Sequence, residues 1–211
     1  MEFNFTYIIL VLLVILVSMT LHEAMHAFMS YWLGDDTAKA QGRLTLNPLK
    51  HIDPFLTILL PLTLAIVGAP IFGGAKPVPF NPLNIKWGEW GAALVALAGP
   101  LTNLLIAFLV FGLWVITGMT DQGIAYQLVH TSIMVNLGFF IFNMIPITPL
   151  DGSRVLYALA PDFIRRIMES MERYGLIVIF ALIFIGGPYI SSFMVSAINF
   201  FIYLFSRVFI L

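Results

Sequence analysis

The sequence has no cysteine and few charges. Of its 211 residues only 10% are charged and 60% are hydrophobic, and the net charge at pH 7 is −1. Soluble domains carry about 25% charged and roughly 45–50% apolar residues, so this composition excludes a water-soluble globular fold and a disordered chain. The missing cysteines exclude a disulfide scaffold. Without an excess of positive charge, a nucleic-acid-binding domain is excluded as well.

What the chain does contain is long apolar runs, which predict an all-α polytopic membrane protein. A spanning helix needs about 20 apolar residues, so this length allows about four to six transmembrane segments. The first helix is expected over roughly residues 4–33. It has neither the positive start nor the small-residue cleavage site of a signal peptide, so we expect it to be retained. Further apolar runs cover 55–72, 92–119, 124–150, 174–185 and 189–205.

Positive residues predict the orientation of the chain. Nine of the ten Lys and Arg residues lie in segments 34–54, 73–91 and 151–173, and segment 118–123 contains none. Lys and Arg mark cytoplasmic loops, so the three positive segments are expected in the cytoplasm. A single crossing by residues 55–72 would put the segments before and after it on opposite sides. We therefore predict that 55–72 enters and returns on the cytoplasmic side, with an ordinary kinked span as the alternative.

His22, Glu23 and His26 form a His-Glu-x-x-His pattern inside the first apolar helix. Positions i and i+4 share one face of a helix, so both imidazoles can reach one metal ion, and zinc is the usual choice. Glu23 is placed to take a proton from an attacking water. A charge at the bilayer centre costs at least ~2.5–3.5 kcal/mol, which favours a functional role over a chance pattern.

Catalytic zinc commonly has three protein ligands, so the two histidines need a partner. Asp151 fits best, because it follows the fourth apolar run at the same membrane side as the histidine pair, beside prolines that let the chain bend. A carboxylate that merely faces the headgroups is the alternative. His51 lies in a cytoplasmic loop and stays a weaker candidate, whereas His130 is expected near the outer end of its run.

Taken together, these motifs resemble the site-2 protease family, the intramembrane zinc metalloproteases of peptidase family M50. The resemblance extends to its small, single-domain branch, which has no PDZ domain. It covers most of the chain up to residue 155. The matching elements are His-Glu-x-x-His at 22–26, segment 42–48, segment 75–82, Gly-Pro-x-x-Asn at 99–103 and Asn-x-x-Pro-x-x-Pro-Leu-Asp-Gly at 143–152.

The resemblance implies a particular active site. One Zn²⁺ per chain is held by His22, His26 and Asp151, and Glu23 is the general base. Asn103 is implied as a catalytic residue that contacts the substrate backbone or the oxyanion. Two further amides, Asn136 and Asn143, are weaker candidates for such contacts.

The resemblance also implies a domain organisation. Residues 1–211 form a single membrane-embedded peptidase domain, with a catalytic core at about 4–155 and C-terminal spans at about 174–207. The core consists of three helices from the first, third and fourth runs. Residues 55–90 are expected to include re-entrant or strand-like structure near the active site.

The function expected from these residues is intramembrane proteolysis. The substrate would be a transmembrane protein in a prokaryotic cell membrane, with the active site toward the cytoplasmic half, in contact with the lipid bilayer and not with nucleic acid. A metal transporter and a non-catalytic membrane scaffold with a retained zinc site are the alternatives. A zinc hydrolase with a non-peptide substrate is a further one.

Overall fold

A computed structural model describes residues 5–60, 63, 74–120 and 122–209 of the chain. Among these residues four helices are long and apolar enough to cross a membrane, and no β-strand occurs. The prediction of an all-α polytopic membrane protein is therefore confirmed. The spanning helices are α1 (Phe5–Trp32), α3 (Gly88–Thr117), α4 (Gly123–Asn143) and α8 (Gly187–Phe209).

Shorter elements connect these helices. Three short turns within residues 48–84 each begin with a proline and are capped by a preceding Asn or Asp side chain. Both features are the expected sequence signals for a helical start. Between α1 and α3 lie α2 (Thr37–Ala40), 3₁₀ turns at Pro48–Lys50 and Pro82–Asn84, and a π-helical turn at Pro54–Leu59. Between α4 and α8 lie α5 (Gly152–Leu159), α6 (Asp162–Glu172) and α7 (Gly175–Phe184).

Helices α1, α3 and α4 pack against one another and form the predicted three-helix core. The Lys86 amide donates to the Leu33 carbonyl at 2.9 Å, so the end of α1 meets the start of α3. Gly118 ends α3 with a φ of 58°, and a short loop leads to α4. Helix α1 is therefore antiparallel to α3. We call the end of the bundle where α1 ends, α3 begins and α4 ends the site end.

Small residues let α3 approach α1 closely. Ala92, Ala96 and Gly99 are buried along α3, and Ala24 and Ala27 are buried on α1. Small side chains are a common means of close helix contact in membranes, because lipid supplies no hydrophobic force between helices. This contact leaves little room between the two backbones.

The two ends of the predicted re-entrant segment are hydrogen-bonded to each other. The Gly74 amide donates to the Leu56 carbonyl at 3.0 Å, and the Thr57 hydroxyl donates to the Gly74 carbonyl at 2.6 Å. Most of residues 55–72 lies outside the described residues. The described residues on either side of this run therefore lie next to each other, and the return of 55–72 to the cytoplasmic side stays a prediction.

The C-terminal region adds one spanning helix and one short apolar helix. Phe205 of α8 is buried against Phe108 and Phe111 of α3, and Phe209 lies over Gly112. Helix α7 has 10 residues. At 1.5 Å per residue it extends about 15 Å, half of the ~30 Å hydrocarbon core, so it does not cross the membrane alone.

Asp35 ties the loops of the site end together. Its buried carboxylate accepts hydrogen bonds from the Thr37 amide and hydroxyl, from the Asn81 amide at 2.8 Å and from the Asn84 side chain. Burial alone would raise the pKa of Asp35, but the hydrogen bonds from Thr37, Asn81 and Asn84 outweigh it and hold the pKa below its usual value.

Replacing this carboxylate should loosen the site end. Asp35→Ala leaves several buried donors without an acceptor, so we expect a loss of roughly 1–3 kcal/mol in the free energy of unfolding. Because the folded-state pKa is lowered, the wild-type protein should keep this contribution above the unfolded pKa and lose it as the pH falls through the folded value. Thermal unfolding in detergent between neutral and acidic pH measures both effects. The same stability in Asp35→Ala as in the wild type would contradict this role.

Candidate metal centre

His22 and His26 lie one turn apart on α1, and their side chains face α3. Both are buried, with the two Nε2 atoms 3.0 Å apart. His26 lies six residues and His22 ten residues before Trp32, the last residue of α1. At 1.5 Å per residue, they are about 9 and 15 Å from that helix end. The pair therefore lies within the span rather than in a loop.

Asp151 reaches the histidines because the chain bends sharply after α4. Its Oδ2 atom lies 3.1 Å from His22 Nε2 and 3.5 Å from His26 Nε2. Gly152, which follows, packs so tightly that a β-carbon there would overlap the Met144 carbonyl. The glycine is needed for the chain to fold back and present the aspartate.

The outer nitrogens of both rings are already engaged. His22 Nδ1 lies 2.6 Å from the Asn103 Oδ1 atom, and His26 Nδ1 lies 2.7 Å from the Val95 carbonyl. Both partners are acceptors, so each Nδ1 carries the proton and each Nε2 presents a lone pair.

Three atoms that can bind a metal ion therefore converge in one place. The two Nε2 atoms and the Asp151 carboxylate lie within 4.8 Å of one another, and the described residues contain no other such group. Two imidazoles and one carboxylate form a donor set that suits Zn²⁺, with a coordination position left open.

Gly99 provides the space for this centre. A methyl group built on Gly99 would lie 2.7 Å from His22 Nε2 and closer still to His26 Nε2. Any other residue at this position would fill the volume between the two rings. The glycine of the Gly-Pro-x-x-Asn element thus forms the wall of the site on the α3 side.

Glu23 is not part of the three-residue group, and its carboxylate contacts a loop of the site end. Its Oε2 atom accepts a hydrogen bond from the Val78 amide at 3.0 Å, and the residue is half-buried. Val78 belongs to residues 74–81, an extended stretch that we call the cover segment. Glu23, His22 and His26 all lie on α1, but the Glu23 carboxylate is held by a loop, whereas the rings of the two histidines bond to α3.

The structure places Asn103 behind His22. The Asn103 amide group donates to Asn136 Oδ1 at 2.8 Å and to the Ser18 carbonyl at 3.3 Å, so its oxygen is turned toward the imidazole. Asn136 in turn donates to the Ser18 hydroxyl at 2.9 Å. All polar atoms of Asn103 thus have partners within the bundle. A contact with substrate stays a prediction for this residue.

The other candidates lie outside the metal group. His51 is fully buried, and its ring faces the Thr45 carbonyl and Arg43. His130 packs on Tyr126 in α4. The Asn143 amide donates to the Phe139 carbonyl within its own helix.

Sequence reasoning missed three residues of the site. Gly99, Val78 and Arg43 all lie in segments that resemble the family, but none had an assigned role at the site. Arg43 contributed only as a positive charge to the predicted membrane orientation. A glycine one turn before a motif asparagine was a signal for Gly99. No local signal pointed to the contacts of Val78 and Arg43, because their partners lie far away in sequence.

Comparison with known proteins now adds the family. A sequence model of peptidase family M50 matches residues 115–186. The "Putative zinc metalloprotease YwhC" of Bacillus subtilis is 42% identical over 193 residues, which cover 87% of this chain and 84% of that protein. The chain belongs to peptidase family M50, the site-2 protease family.

Other relatives of this M50 chain carry the same description. Rip2 of Mycolicibacterium smegmatis is 32% identical over 174 residues, which cover 80% of this chain and 64% of Rip2. Rip2 of Mycobacterium tuberculosis strain Erdman is 28% identical over 188 residues, covering 84% of this chain and 66% of that protein. Each of the two carries the full name "Putative zinc metalloprotease Rip2". No solved structure matches the chain.

The space beside Gly99 can be tested directly. We expect Gly99→Ala to lower metal affinity about tenfold or more, since even changes behind a ligand alter metal affinity roughly 10–100-fold. Bound zinc in the purified protein, measured against a competing chelator, checks this. Gly138→Ala is the matched control, because a β-carbon there meets nothing within 4 Å. Full zinc binding by Gly99→Ala would disprove the placement of the ion.

Proposed function

We propose that this M50 protein is an intramembrane zinc peptidase. It hydrolyses peptide bonds within or near the transmembrane segments of other membrane proteins, as in regulated intramembrane proteolysis. One Zn²⁺ per chain is held by His22, His26 and Asp151. The observation that carries the proposal is the convergence of their three acceptor atoms inside a membrane-spanning helix bundle.

The chemistry of the reaction is divided between the ion and Glu23. When bound, Zn²⁺ acts as a Lewis acid toward a water and toward the carbonyl of the scissile bond. Glu23 takes the proton of the attacking water and returns it to the leaving amine. One of its carboxylate oxygens is held by the Val78 amide, which leaves the other for this transfer.

The substrate must present an extended backbone. In a helix the carbonyl groups are hydrogen-bonded to amides four residues on, so they are shielded from attack. The catalytic centre lies about 9 to 15 Å inside the end of α1, counted at 1.5 Å per residue. A substrate helix therefore has to unwind near that depth.

The distribution of positive charge supports a cytoplasmic site end. Nine of the ten Lys and Arg residues lie in segments 34–54, 73–91 and 151–173, and the loop between α3 and α4 at the far end contains none. The tenth, Arg207, lies in the last turn of α8. At the site end, three exposed tryptophans near the helix ends are suited to a membrane interface, namely Trp32, Trp87 and Trp90. We place the protein in the cell membrane with the catalytic centre in the cytoplasmic half.

A metal transporter and a non-catalytic scaffold have less support. Transport needs several metal-binding positions along a path, and the described residues contain one group. A scaffold would not require Glu23, which costs free energy within an apolar helix.

The decisive experiment neutralises the proposed base. Glu23→Gln should still bind one Zn²⁺ per chain, because the three ligands are unchanged. It should abolish cleavage of a transmembrane reporter in proteoliposomes, since an amide takes up no proton at neutral pH. Reporter cleavage by gel analysis and zinc by mass spectrometry give the two readings. Undiminished cleavage by Glu23→Gln would refute the mechanism.

A second variant tests the ligand set. Asp151→Asn exchanges the carboxylate for a much weaker ligand, so bound zinc should fall about tenfold or more. Unchanged zinc stoichiometry would remove Asp151 from the ligands. Asp53→Asn is a suitable control, because this aspartate caps the π-helical turn outside the metal group.

Asn103 is proposed to orient His22 from behind. Its oxygen fixes the proton on Nδ1, so that Nε2 faces the ion, an arrangement typical of metal-binding histidines. Asn103→Leu should weaken zinc binding roughly 10–100-fold. Asn199→Leu, which removes an exposed amide from α8, should have no effect. Equal zinc affinity in the two variants would contradict this role.

A further inference from the structure

Among the described residues, Glu23 has one hydrogen-bond partner, the Val78 amide. It forms no ion pair with any described Lys, Arg or His. The direction of its carboxylate therefore depends on the backbone position of the cover segment. The Val78 side chain is buried against Ala27 and Ala38, which keeps this residue close to α1.

Flanking prolines make Val78 the sole donor in its stretch. Pro77 and Pro79 have no amide hydrogen, so within residues 77–79 only Val78 can hold the carboxylate. The amides of Gly74 and Lys76 instead donate to carbonyls of the preceding loop, those of Leu56 and His51.

The loop contacts at Lys76 hold the cover segment in register. The Lys76 amide donates to the His51 carbonyl at 2.9 Å, and the Arg43 guanidinium donates to the Lys76 carbonyl at 2.5 Å. Arg43 also approaches His51 Nδ1 at 3.4 Å, and the other ring nitrogen of His51 donates to the Thr45 carbonyl at 2.8 Å. Arg43 thus fixes the cover segment two residues before the amide that holds Glu23.

The burial of Arg43 needs an explanation. Its side chain is only 4% exposed, its Nε has no partner, and it forms no ion pair with a described carboxylate. Burial lowers the pKa of Arg43, and the negative charge of Glu23 opposes this shift. An incompletely paired buried charge lowers stability, so a role beyond folding accounts for it better.

We propose that Arg43 is a positioning residue for Glu23. It fixes the cover segment through the Lys76 carbonyl, and the Val78 amide then sets the direction of the Glu23 carboxylate. The inference rests on the proposed peptidase function. It adds to that function a backbone contact, set by a loop arginine, that aligns the proton-transferring group without touching the metal.

Variants of the whole 211-residue chain distinguish a role of Arg43 in positioning Glu23 from a role in folding. Arg43→Met removes the donors but keeps an unbranched side chain in place of the aliphatic part, and Lys50→Met removes an exposed charge from the same loop as its control. Val78→Pro removes the amide hydrogen itself and suits an extended position before Pro79. Val78→Ala is the comparison variant, because it shortens the side chain and keeps the amide hydrogen, so it should retain more kcat than Val78→Pro.

The readings are kcat and KM for a transmembrane reporter, bound zinc, and hydrogen exchange at the Lys76 amide. We expect Arg43→Met and Val78→Pro each to lower kcat roughly 10–100-fold, the scale of a small misplacement of a reacting group. KM and bound zinc should stay near wild-type values, and Lys50→Met should keep wild-type kcat. Arg43→Met should also speed exchange at Lys76, and Arg43→Lys should recover part of kcat.

The double variant provides the strictest test. Since both changes act through one contact, Arg43→Met with Val78→Pro should be about as impaired as the worse single variant. Independent, multiplying losses would overturn the proposal, as would wild-type kcat in Val78→Pro or an equal loss in Lys50→Met. Loss of zinc in Arg43→Met would assign this residue a structural role instead. If the wild-type protein cleaves no reporter, the proposed peptidase function is refuted. If the wild type cleaves and the variants behave otherwise than expected, only the role of Arg43 is refuted.

Discussion

The rings of His22 and His26 meet Asp151 because α1 and α3 approach each other closely at Gly99. The contact depends on the absence of a side chain, since even a methyl group would occupy the space between the rings. The rest of the centre follows from this approach. The Val95 carbonyl and the Asn103 side chain of α3 come within reach of the two Nδ1 atoms, which turns both Nε2 atoms toward the aspartate.

A bilayer gives polar groups no water, so they must find partners inside the protein. The buried amides of Asn103 and Asn136 do so through Ser18, and together they link α1, α3 and α4. This network lies directly behind His22. The same hydrogen bonds that satisfy buried polar atoms also set the orientation of a metal ligand, so stability and chemistry depend on one arrangement.

The predicted ligands and the predicted base are held differently. The rings of His22 and His26 bond to the neighbouring helix α3. The Glu23 carboxylate bonds instead to the backbone of the cover segment, which other loops hold in place. Asp35 anchors one end of this segment and Arg43 its middle. The chemistry therefore depends on the site-end loops as well as on the helix bundle. This explains why so many polar residues of an apolar chain are concentrated there.

Local patterns in the sequence were enough to identify the membrane class, the family and the candidate ligands, because apolar runs and His-Glu-x-x-His spacing are properties of neighbouring residues. The positive charges also predict that residues 55–72 return to their starting side, and most of that segment lies outside the described residues. Only the tertiary structure decided which atoms each side chain meets. The wall at Gly99, the bonds of Asn103 behind His22 and the link from Arg43 to Glu23 join residues that are far apart in the chain. Such contacts arise from packing, and no local pattern encodes them.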